Sequence, residues 1–395
     1  MTSGAGDGTR ALVAGLDTAG VLPASYRPAF EAVDRADFIP ARMWCGGNET
    51  TDADDLAVDR GTDPQGWTKA VYDPRMPIVT QFDDGAVTWP DVGYRPTSSA
   101  SAPTVVAGML RVLGPQPGDR LFEVGTGTGY NAALLAEIVG HNGAVTTVEI
   151  DQHVAAQARE RLDVPTPANV TVLTGDGATV VPAAGSRWDR VIATVGVPLG
   201  RLPYAWVEHT RPGGVIVAPI FADFSAHPLV RLVVGEDGIA RGHADADLTV
   251  GFMHLRDQRP GSAALHEVRW DDPDADVKHT TKDLWDPLHD PSWCWAAAVA
   301  TPSCRWNSYP AGTRSPRRLI LFADPISRSW ASIHADEAGD DLTVRQAGPR
   351  RLADEVYAAI TWYARRGAPP LETWLWEVGP SHQSVTLPGS RDVTG

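Results

Sequence analysis

Between residues 102 and 224 the chain alternates short apolar runs with segments of helical spacing. The apolar runs predict strands at residues 120–124, 144–150, 170–175, 190–195 and 214–220. Helical spacing predicts helices at residues 104–113, 130–139 and 153–162. Strands that alternate with helices in this way pair in parallel, and the helices cover both faces of the sheet. We therefore predict an α/β fold for this part of the chain.

The alternation stops near residue 225. Beyond it the pattern predicts a hairpin over 229–244, strands at 318–324, 329–335 and 341–346, a helix over 351–367 and two closing strands. In the helix, Leu352, Val356 and Ile360 share one face. We therefore expect three parts, which are a flexible N-terminus (1–24), an α/β domain (25–225) and a smaller C-terminal α+β extension (226–395).

Composition narrows the class of protein. The formal net charge is −15, whereas nucleic-acid-binding proteins usually carry a basic surface, so we expect no nucleic-acid partner. Three cysteines are too few for a disulfide scaffold, and no histidine cluster accompanies them, so we expect no metal. No uncharged apolar run approaches the ~20 residues of a membrane-spanning helix, and the first residues do not resemble a signal peptide. We therefore expect a cytoplasmic protein with no membrane partner.

Tryptophan is unevenly distributed along the chain. Nine of the 14 tryptophans lie beyond residue 225. Because tryptophan is enriched at binding interfaces, we predict that the extension recognises the substrate, with core packing as the alternative. Trp293 and Trp295 are two positions apart, as are Trp374 and Trp376, and in strands each pair would share a face.

A glycine-rich segment, EVGTGTG, follows the first predicted strand of the α/β domain and opens a helix. Glycines allow the backbone to turn sharply and to approach a ligand closely. A dinucleotide fingerprint would need glycine where Tyr130 or Ala132 stands, and a P-loop needs a lysine directly after glycine, which is absent. The remaining pattern, acid-x-Gly-x-Gly-x-Gly, is typical of Rossmann-like methyltransferases. We therefore predict S-adenosyl-L-methionine as the cofactor.

Candidate cofactor-binding residues follow three successive strands of the predicted sheet. Those at the end of the first strand are Glu123, Gly125, Thr126, Gly127 and Gly129. Glu149 ends the second strand, where a carboxylate can accept both ribose hydroxyls. Asp176 and Gly177 end the third, where a carboxylate can accept the adenine amino group. The alternative is a plain glycine turn with two surface acids.

Over about residues 25–224 the chain resembles the protein-L-isoaspartate (D-aspartate) O-methyltransferases. The segments that carry the resemblance occur in the family's order and are AFEAVDRADFIP, SASAP, FEVGTGTGYNAALLAEIVG, VTTVEID, GDG, WDRVIATVGVP and RPGGVIVAPI. The resemblance implies methyl transfer from S-adenosyl-L-methionine to a peptide carboxylate. It also implies that the serine before Ala-Pro, here Ser101, orients that carboxylate, with Ser99 and Ser98 as further catalytic candidates. The alternative is that these serines cap the helix that begins near Pro103.

The chain departs from the family pattern in its length and at Thr104, where the family often has histidine. The additional C-terminal part resembles actinobacterial relatives that modify ribosomally made lanthipeptides, lasso peptides and graspetides. The shared segments are VYDP…VTQFDDG, TSSASAP and SWASI…VRQAGPRRLADEV. That resemblance implies a macrocyclised ribosomal peptide as the substrate. It further implies that one aspartate is esterified and then closes to an aspartimide, which hydrolysis opens to isoaspartate.

Three other interpretations stay open at this point. The protein could be a general isoaspartyl repair methyltransferase, a nucleic-acid methyltransferase, or a binding protein for S-adenosyl-L-methionine without catalytic activity. The acidic net charge argues against the second. The presence of Glu123, Glu149, Asp176 and Ser101 argues against the third. No feature of the sequence determines the oligomeric state.

Overall fold

A computed structural model of the chain describes residues 5–45, 57–163, 169–224, 227–259, 272–313, 317–335, 341–387 and 389. The helices are α1 Ala5–Thr18, α2 Arg27–Ala32, α3 Pro64–Tyr72, α4 Pro103–Leu113, α5 Tyr130–Val139, α6 Gln152–Leu162, α7 Tyr204–Glu208, α8 Trp285–His289, α9 Pro291–Ala300 and α10 Leu352–Ala364. The strands are β1 Arg42–Cys45, β2 Ala57–Asp59, β3 Ile78–Phe82, β4 Pro96–Ala100, β5 Arg120–Val124, β6 Ala144–Glu149, β7 Val170–Thr174, β8 Trp188–Ala193, β9 Val197–Pro198, β10 Thr210–Phe221, β11 His227–Val234, β12 Ala240–Val250, β13 Asp276–Thr280, β14 Arg305–Tyr309, β15 Leu319–Asp324, β16 Ser329–Ala335, β17 Leu342–Ala347, β18 Leu375–Val378 and β19 Gln383–Thr386.

A large mixed sheet organises the molecule, in the strand order β19-β18-β12-β11-β10-β8-β5-β6-β7, with β9 paired to β10. The strands from β10 to β7 run parallel to one another, and those from β10 to β19 pair antiparallel. The central strand β5 is buried at four of its five residues, as expected for a parallel strand covered on both faces. The predicted α/β fold with a parallel sheet is thus confirmed.

Two smaller antiparallel sheets flank the large one. One has the order β2-β1-β3-β4 and leads through β4 into α4. The other has the order β13-β17-β16-β15-β14 and packs against α10. The hairpin, the three strands and the helix predicted beyond residue 225 are present as β11–β12, β15–β17 and α10.

The residues on the two sides of position 225 share the large sheet and an apolar core. The predicted boundary falls between β10 and β11, which pair antiparallel from Val215↔Val233 to Pro219↔Leu229. The core that contains Phe122 of β5 also contains Trp295 of α9. The C-terminal extension therefore packs against the parallel part of the sheet. The predicted boundary marks the end of the strand–helix alternation, and the sheet and the core both continue across it.

The N-terminus differs from the flexible segment expected over residues 1–24. Helix α1 covers residues 5–18, and its Leu12, Val13 and Leu16 are 1%, 3% and 0% exposed. These three residues recur at helical spacing and form a stripe that packs in the core with α4 and α5. The segment is ordered because this stripe is long enough to bury, despite the glycines around it. Residues 1–4 lie outside the described part.

Several tryptophans of the extension lie in the core. Trp295 and Trp374 are fully buried and Trp376 is 4% exposed. Trp293 and Trp295 do not share a strand face, because Asp290 caps and Pro291 begins helix α9 at that point. Among the described residues no tryptophan is an exposed large apolar side chain. Core packing therefore accounts for the burial of these three tryptophans. Trp285, Trp293, Trp306 and Trp362 are partly exposed, so substrate recognition by the extension stays a prediction.

None of the described helices is both long enough and apolar enough to cross a lipid bilayer.

Candidate active site

A cleft opens at the carboxyl ends of the parallel strands, which is where open α/β sheets bind their ligands. It is bounded by the ends of β5, β6, β7 and β8, by the end of β4 and by residues 252–259. The predicted site residues that line it are Ser98, Ser99, Ser101, Glu123, Gly125, Thr126, Gly127, Glu149, Asp176 and Gly177. The topology therefore brings together residues that are up to 79 positions apart in the sequence.

Gly129 is the predicted site residue that does not line the cleft. It stands at the N-cap of α5 with φ 92°, a left-handed conformation that favours glycine. A Cβ at this position would lie 3.2 Å from Cδ1 of Leu162. Gly129 therefore serves the close packing of the loop against α6.

The glycine-rich loop approaches its neighbours too closely for side chains. Gly127 has φ 53°, and a Cβ there would lie 2.8 Å from the carbonyl oxygen of Ser99. Gly125 has φ 95°, and a Cβ there would lie 2.7 Å from Oγ1 of Thr194. Thr194 Oγ1 donates to the Gly125 carbonyl at 2.6 Å. The loop is thus held between the end of β4 on one side and the end of β8 on the other.

Glu123 is fully buried at the base of the cleft. Its Oε1 accepts a hydrogen bond from Asn131 Nδ2 at 2.7 Å, and its Oε2 accepts one from Thr147 Oγ1 at 2.6 Å. Thr147 in turn shares a 2.7 Å hydrogen bond with Thr126 of the loop. Burial, together with the nearby charge of Glu149, raises the pKa of Glu123 to about 7 in spite of these two hydrogen bonds. Glu123 therefore ties the glycine loop to β6 and α5.

Glu149 ends β6 and points its carboxylate at the glycine loop. Oε2 accepts a hydrogen bond from the Gly127 backbone N–H at 3.0 Å, and Oε1 accepts one from the Asp151 N–H at 3.1 Å. Burial raises the pKa of the Glu149 carboxyl despite these bonds. Each carboxylate oxygen retains a further lone pair, so the group can still accept hydrogen bonds from two neighbouring hydroxyls.

Asp176 and Gly177 follow β7 at the far end of the cleft. Asp176 Oδ1 accepts a hydrogen bond from the Ala178 N–H at 2.9 Å, which fixes the turn. A Cβ on Gly177 would lie 2.5 Å from Cγ1 of Val124, so glycine is required at that position. The Gly177 carbonyl accepts a hydrogen bond from Trp206 Nε1 at 2.8 Å.

The three candidate serines occupy β4 and the residue that follows it. Ser98 is 6% exposed, and its Oγ accepts a hydrogen bond from Thr80 Oγ1 at 3.0 Å. Ser99 pairs with Val79 across the β3–β4 ladder. Ser101 does not cap α4, because the N-cap is Ala102 and the helix begins at Pro103 without a side-chain cap. The capping alternative is therefore wrong for Ser101, which lines the cleft instead.

Arg35 is a buried residue of this region that the sequence patterns did not indicate. Its guanidinium donates to the carbonyl oxygens of Val71, Met76 and Ser101 at 2.8, 2.9 and 3.0 Å. Burial lowers the pKa of Arg35 to about 10, so the group remains charged at neutral pH. Arg35 fixes the backbone at Ser101. A single arginine on a short turn carries no periodic signal, and only its burial reveals the role.

A second wall of the cleft comes from residues 252–256 and 259, beyond the predicted domain boundary. This segment is held beside β8, since the Gly196 N–H donates to the Met253 carbonyl at 2.8 Å and the Leu255 N–H donates to the Gly196 carbonyl at 2.9 Å. Its His254 stacks on Phe221, and burial together with the charge of Arg95 lowers the pKa of His254 to about 4. The imidazole is therefore neutral at neutral pH.

Two arginines of this wall pair with an acidic hairpin across the cleft. Arg259 binds Asp84 with N–O distances of 2.8 and 3.0 Å, and Arg256 lies 3.1 Å from the same carboxylate. The hydrogen bonds from Arg259 and the nearby charge of Arg256 hold the pKa of Asp84 below its usual range, and the effect of Arg259 is the larger. Asp84 belongs to the VTQFDDG segment, whose resemblance to the actinobacterial relatives was the sequence feature that pointed to this part of the site. Gln81 of the same segment donates to Asp151 at 3.1 Å.

The chain is similar in sequence to one family of known proteins. Residues 74–256 match the family model for protein-L-isoaspartate(D-aspartate) O-methyltransferase. The protein-L-isoaspartate O-methyltransferase of Xanthobacter autotrophicus is 36% identical over 164 residues, which cover 42% of this chain and 69% of that protein. The chain belongs to the protein-L-isoaspartate O-methyltransferase family.

Other members of the family match a shorter part of the chain. The protein-L-isoaspartate O-methyltransferase of Ignicoccus hospitalis is 38% identical over 138 residues, which cover 35% of this chain and 64% of that protein. The protein-L-isoaspartate O-methyltransferase of Pyrococcus horikoshii is also 38% identical over 138 residues, which cover 35% of this chain and 60% of that protein. The chain thus matches somewhat less than two thirds of the length of these two relatives.

One solved structure, described as a protein-L-isoaspartate O-methyltransferase, resembles the fold along most of the chain. The comparison has a TM-score of 0.53 and covers 96% of this chain and 99% of that chain. The sequence identity is 19%, so the likeness concerns the fold alone.

Proposed function

We propose that the protein transfers the methyl group of S-adenosyl-L-methionine to the carboxylate of an aspartyl or isoaspartyl residue in a peptide. The observation that carries this proposal is the contact between strand β4, which holds Ser98 and Ser99, and the glycine loop. The Ser99 carbonyl lies so close to Gly127 that a Cβ there would be 2.8 Å away. A cofactor held by the loop would therefore lie beside the hydroxyls that can orient an acceptor.

The residues of the cleft fit the proposed cofactor. Glu149 can accept hydrogen bonds from the ribose hydroxyls, Asp176 can accept one from the adenine amino group, and the loop lines the cleft with the backbone of Gly125 and Gly127. When bound, S-adenosyl-L-methionine supplies an electrophilic methyl group on a sulfonium. The relatives are named as O-methyltransferases, and their reaction requires a methyl donor of this kind.

The acceptor side needs orientation and exclusion of water rather than a base. A peptide carboxylate is ionised at neutral pH because its pKa is about 4. His254, the histidine that lines the cleft among the described residues, is neutral and has a pKa of about 4, so it is a weak base. We propose that the Ser101 hydroxyl donates to one carboxylate oxygen and leaves the other to attack the methyl carbon. Alignment and desolvation then account for the rate.

For the physiological acceptor we propose one aspartate of a macrocyclised, ribosomally made peptide. Esterification would make the side-chain carbonyl electrophilic, so that the following backbone nitrogen can attack it and release methanol, which leaves an aspartimide. The support is Arg259 of the extension, which lines the cleft although it lies beyond the residues 74–256 that match the family model, so the extension can shape the cleft for one substrate. The family relatives favour the competing proposal, a general isoaspartyl repair enzyme.

One experiment separates these two acceptors. The protein and S-adenosyl-L-methionine are incubated either with a linear isoaspartyl peptide or with the cyclised peptide encoded next to its gene. Peptide mass and methanol release are followed over time. We expect a gain of 14 Da on the cyclised peptide, followed by loss of 32 Da as the aspartimide forms. Fast turnover of the linear peptide with none of the cyclised one would establish the repair function instead.

The role of Ser101 is tested with Ser101→Ala. Loss of one hydrogen bond to a charged group costs about 1.5–3 kcal/mol, so we expect kcat/KM for the peptide to fall roughly 10- to 150-fold. The dissociation constant of S-adenosyl-L-methionine, measured by calorimetry, should stay within twofold. Ser186→Ala is the control, because Ser186 Oγ donates one hydrogen bond, to the Ala183 carbonyl, and does not line the cleft. Loss of cofactor binding in Ser101→Ala would show that Ser101 supports the loop.

A further inference from the structure

A second, larger groove lies beside the cleft at the same edge of the large sheet. Because β10 runs parallel to β8, its carboxyl end lies on the edge that carries the cleft. The groove is lined by this end of β10, by residues 198–204 and by β18 and β19 of the extension. Its volume is about 1090 Å³, at the upper limit of pockets for small ligands, which hold about 300–1,000 Å³.

The groove and the cleft are separated by two stacked side-chain rings. His254 lines the cleft and Phe221 lines the groove. The two rings stack with centroids 3.7 Å apart and planes 12° from parallel. The chain itself also connects the two cavities, since Val195 lines the cleft and Pro198, three residues later, lines the groove. A bound peptide that extends from the cleft past the Phe221 and His254 rings therefore enters the groove.

A buried donor without an acceptor lies in the groove wall. Trp376 is 4% exposed, and its Nε1–H has no hydrogen-bond partner among the described residues. An indole N–H can only donate, and a buried donor left without an acceptor is unfavourable by about 1–3 kcal/mol. Nε1 itself lies below the surface of the groove, so a bound carbonyl oxygen completes the bond when the Trp376 ring turns toward the groove.

The charges of the groove are balanced within the protein. Asp223 lies 3.4 Å from Arg305, and Glu377 lies 2.6 Å from Arg241. Both acids are thus paired, and the described residues that line the groove include no lysine or arginine to bind a phosphate. The remaining polar groups are uncharged donors and acceptors such as Ser384, next to apolar surface such as Leu199. This mixture suits an extended polypeptide, whose backbone is neutral and rich in carbonyl groups.

We propose that this groove binds the segment of the peptide substrate that flanks the methylated residue. The segment leaves the cleft over the Phe221–His254 wall and places a backbone carbonyl on Trp376 Nε1. This inference rests on the proposed function, because it takes the occupant of the cleft to be a residue of a peptide. The extension would then recognise substrate through a groove that it builds against β10.

The test compares a long and a short peptide with two variants of β19. Ser384→Trp fills the groove, and Thr386→Trp is the matched control, because Thr386 is likewise partly buried on the same strand but does not line the groove. The probes are fluorescein-labelled isoaspartyl peptides of 13 and 5 residues with the acceptor at the centre. An extended chain rises about 3.3–3.6 Å per residue, so six flanking residues reach about 20 Å from the acceptor and two reach about 7 Å.

Binding is measured directly by fluorescence anisotropy in the presence of S-adenosylhomocysteine, and turnover is measured separately. We expect Ser384→Trp to weaken binding of the 13-residue peptide at least tenfold and to leave the 5-residue peptide within twofold. Thr386→Trp should bind both peptides as the wild type does. Trp376→Phe, which keeps a ring and removes the N–H, should weaken the long peptide about three- to tenfold.

Binding and turnover separate this inference from the proposed function. Equal binding of the 13-residue peptide by Ser384→Trp and the wild type, or no binding by the wild type, would overturn the groove proposal even if methylation occurs. Groove-dependent binding without methyl transfer to any peptide would support the groove and refute the proposed function.

Discussion

The buried Glu123 network makes stability depend on pH in a way that one substitution can isolate. The carboxyl is fully buried, and its pKa is raised from 4.5 to about 7. Glu123→Gln keeps the shape of the side chain and removes the ionisation. Its amide oxygen can still accept from Thr147, and Asn131 can rotate its own amide to accept from the new NH2 group.

The size and sign of the effect follow from the two pKa values. Below pH 4.5 the wild-type carboxyl is protonated in both the folded and the unfolded chain, so it carries no ionisation penalty. Above pH 7 it is ionised in both, and the folded state is destabilised by about 3 kcal/mol, at 1.36 kcal/mol per pKa unit. The wild type therefore loses this stability as pH rises from 4.5 to about 7, and Glu123→Gln does not.

The assay is urea unfolding followed by far-ultraviolet circular dichroism at pH values between 4.5 and 8.5. The quantity of interest is the free energy of unfolding of Glu123→Gln minus that of the wild type. We expect this difference to rise by about 3 kcal/mol in favour of the variant between pH 4.5 and 8. Any constant loss from altered hydrogen bonds cancels in the comparison across pH. Glu208→Gln, on the exposed side of α7, controls for removal of one carboxylate.

Parallel stability curves for Glu123→Gln and the wild type would refute this reasoning. They would show that the buried carboxyl ionises in the folded protein as readily as in water. A difference that shrank with rising pH would have the wrong sign and would indicate that the hydrogen bonds from Asn131 and Thr147 outweigh burial.

Three further predictions concern other parts of the fold. Gly127→Ala places a Cβ 2.8 Å from the Ser99 carbonyl at φ 53°, so we expect about 1–3 kcal/mol of destabilisation and at least tenfold weaker S-adenosyl-L-methionine binding by calorimetry. Leu16→Ala removes a fully buried side chain of α1 and should lower the free energy of unfolding by about 2–4 kcal/mol in urea titrations. Arg350→Met leaves the Asp324 carboxylate buried without its 3.0 Å partner and should destabilise the fold by about 3 kcal/mol, measured in the same way.

Each of these predictions has a control in the chain. Gly114→Ala introduces a Cβ at a left-handed φ of 64° with no neighbour nearer than 3.9 Å, so it should leave cofactor binding unchanged. Val181→Ala, at a 56% exposed position, should be nearly neutral, and equal effects of Val181→Ala and Leu16→Ala would contradict the packing of α1. Arg10→Met breaks an ion pair exposed on both sides and should have an effect below about 1 kcal/mol.

Much of the candidate site follows from short-range sequence patterns. The glycine loop, Glu149 and Asp176 each lie at the end of a strand whose apolar run is visible in the sequence. Parallel pairing places the ends of these strands on one edge, so the order of the strands is enough to bring the residues together. Ser101 was located by its resemblance to a family segment, and the structure removes the alternative that it caps α4.

Other parts of the site depend on contacts between residues far apart in the chain, which no local pattern encodes. Arg259 and Asp84 are 175 positions apart, and Arg35 reaches the Ser101 carbonyl from 66 positions away. Arg35 acquires its role because burial removes water around its guanidinium. The Asp84 carboxylate stays 46% exposed, and its pair with Arg259 forms because the fold brings the two segments together.

By itself the sequence determined the parallel α/β sheet and the cofactor loop, because strand and helix periodicity and the steric freedom of glycine act over a few residues. Only the tertiary structure decided where the extension packs. Strands β11, β12, β18 and β19 continue the sheet, and residues 252–256 complete the cleft wall. The tryptophans of the extension were likewise ambiguous until packing placed Trp295 and Trp374 in the core, because burial of an aromatic side chain depends on what the rest of the chain brings against it.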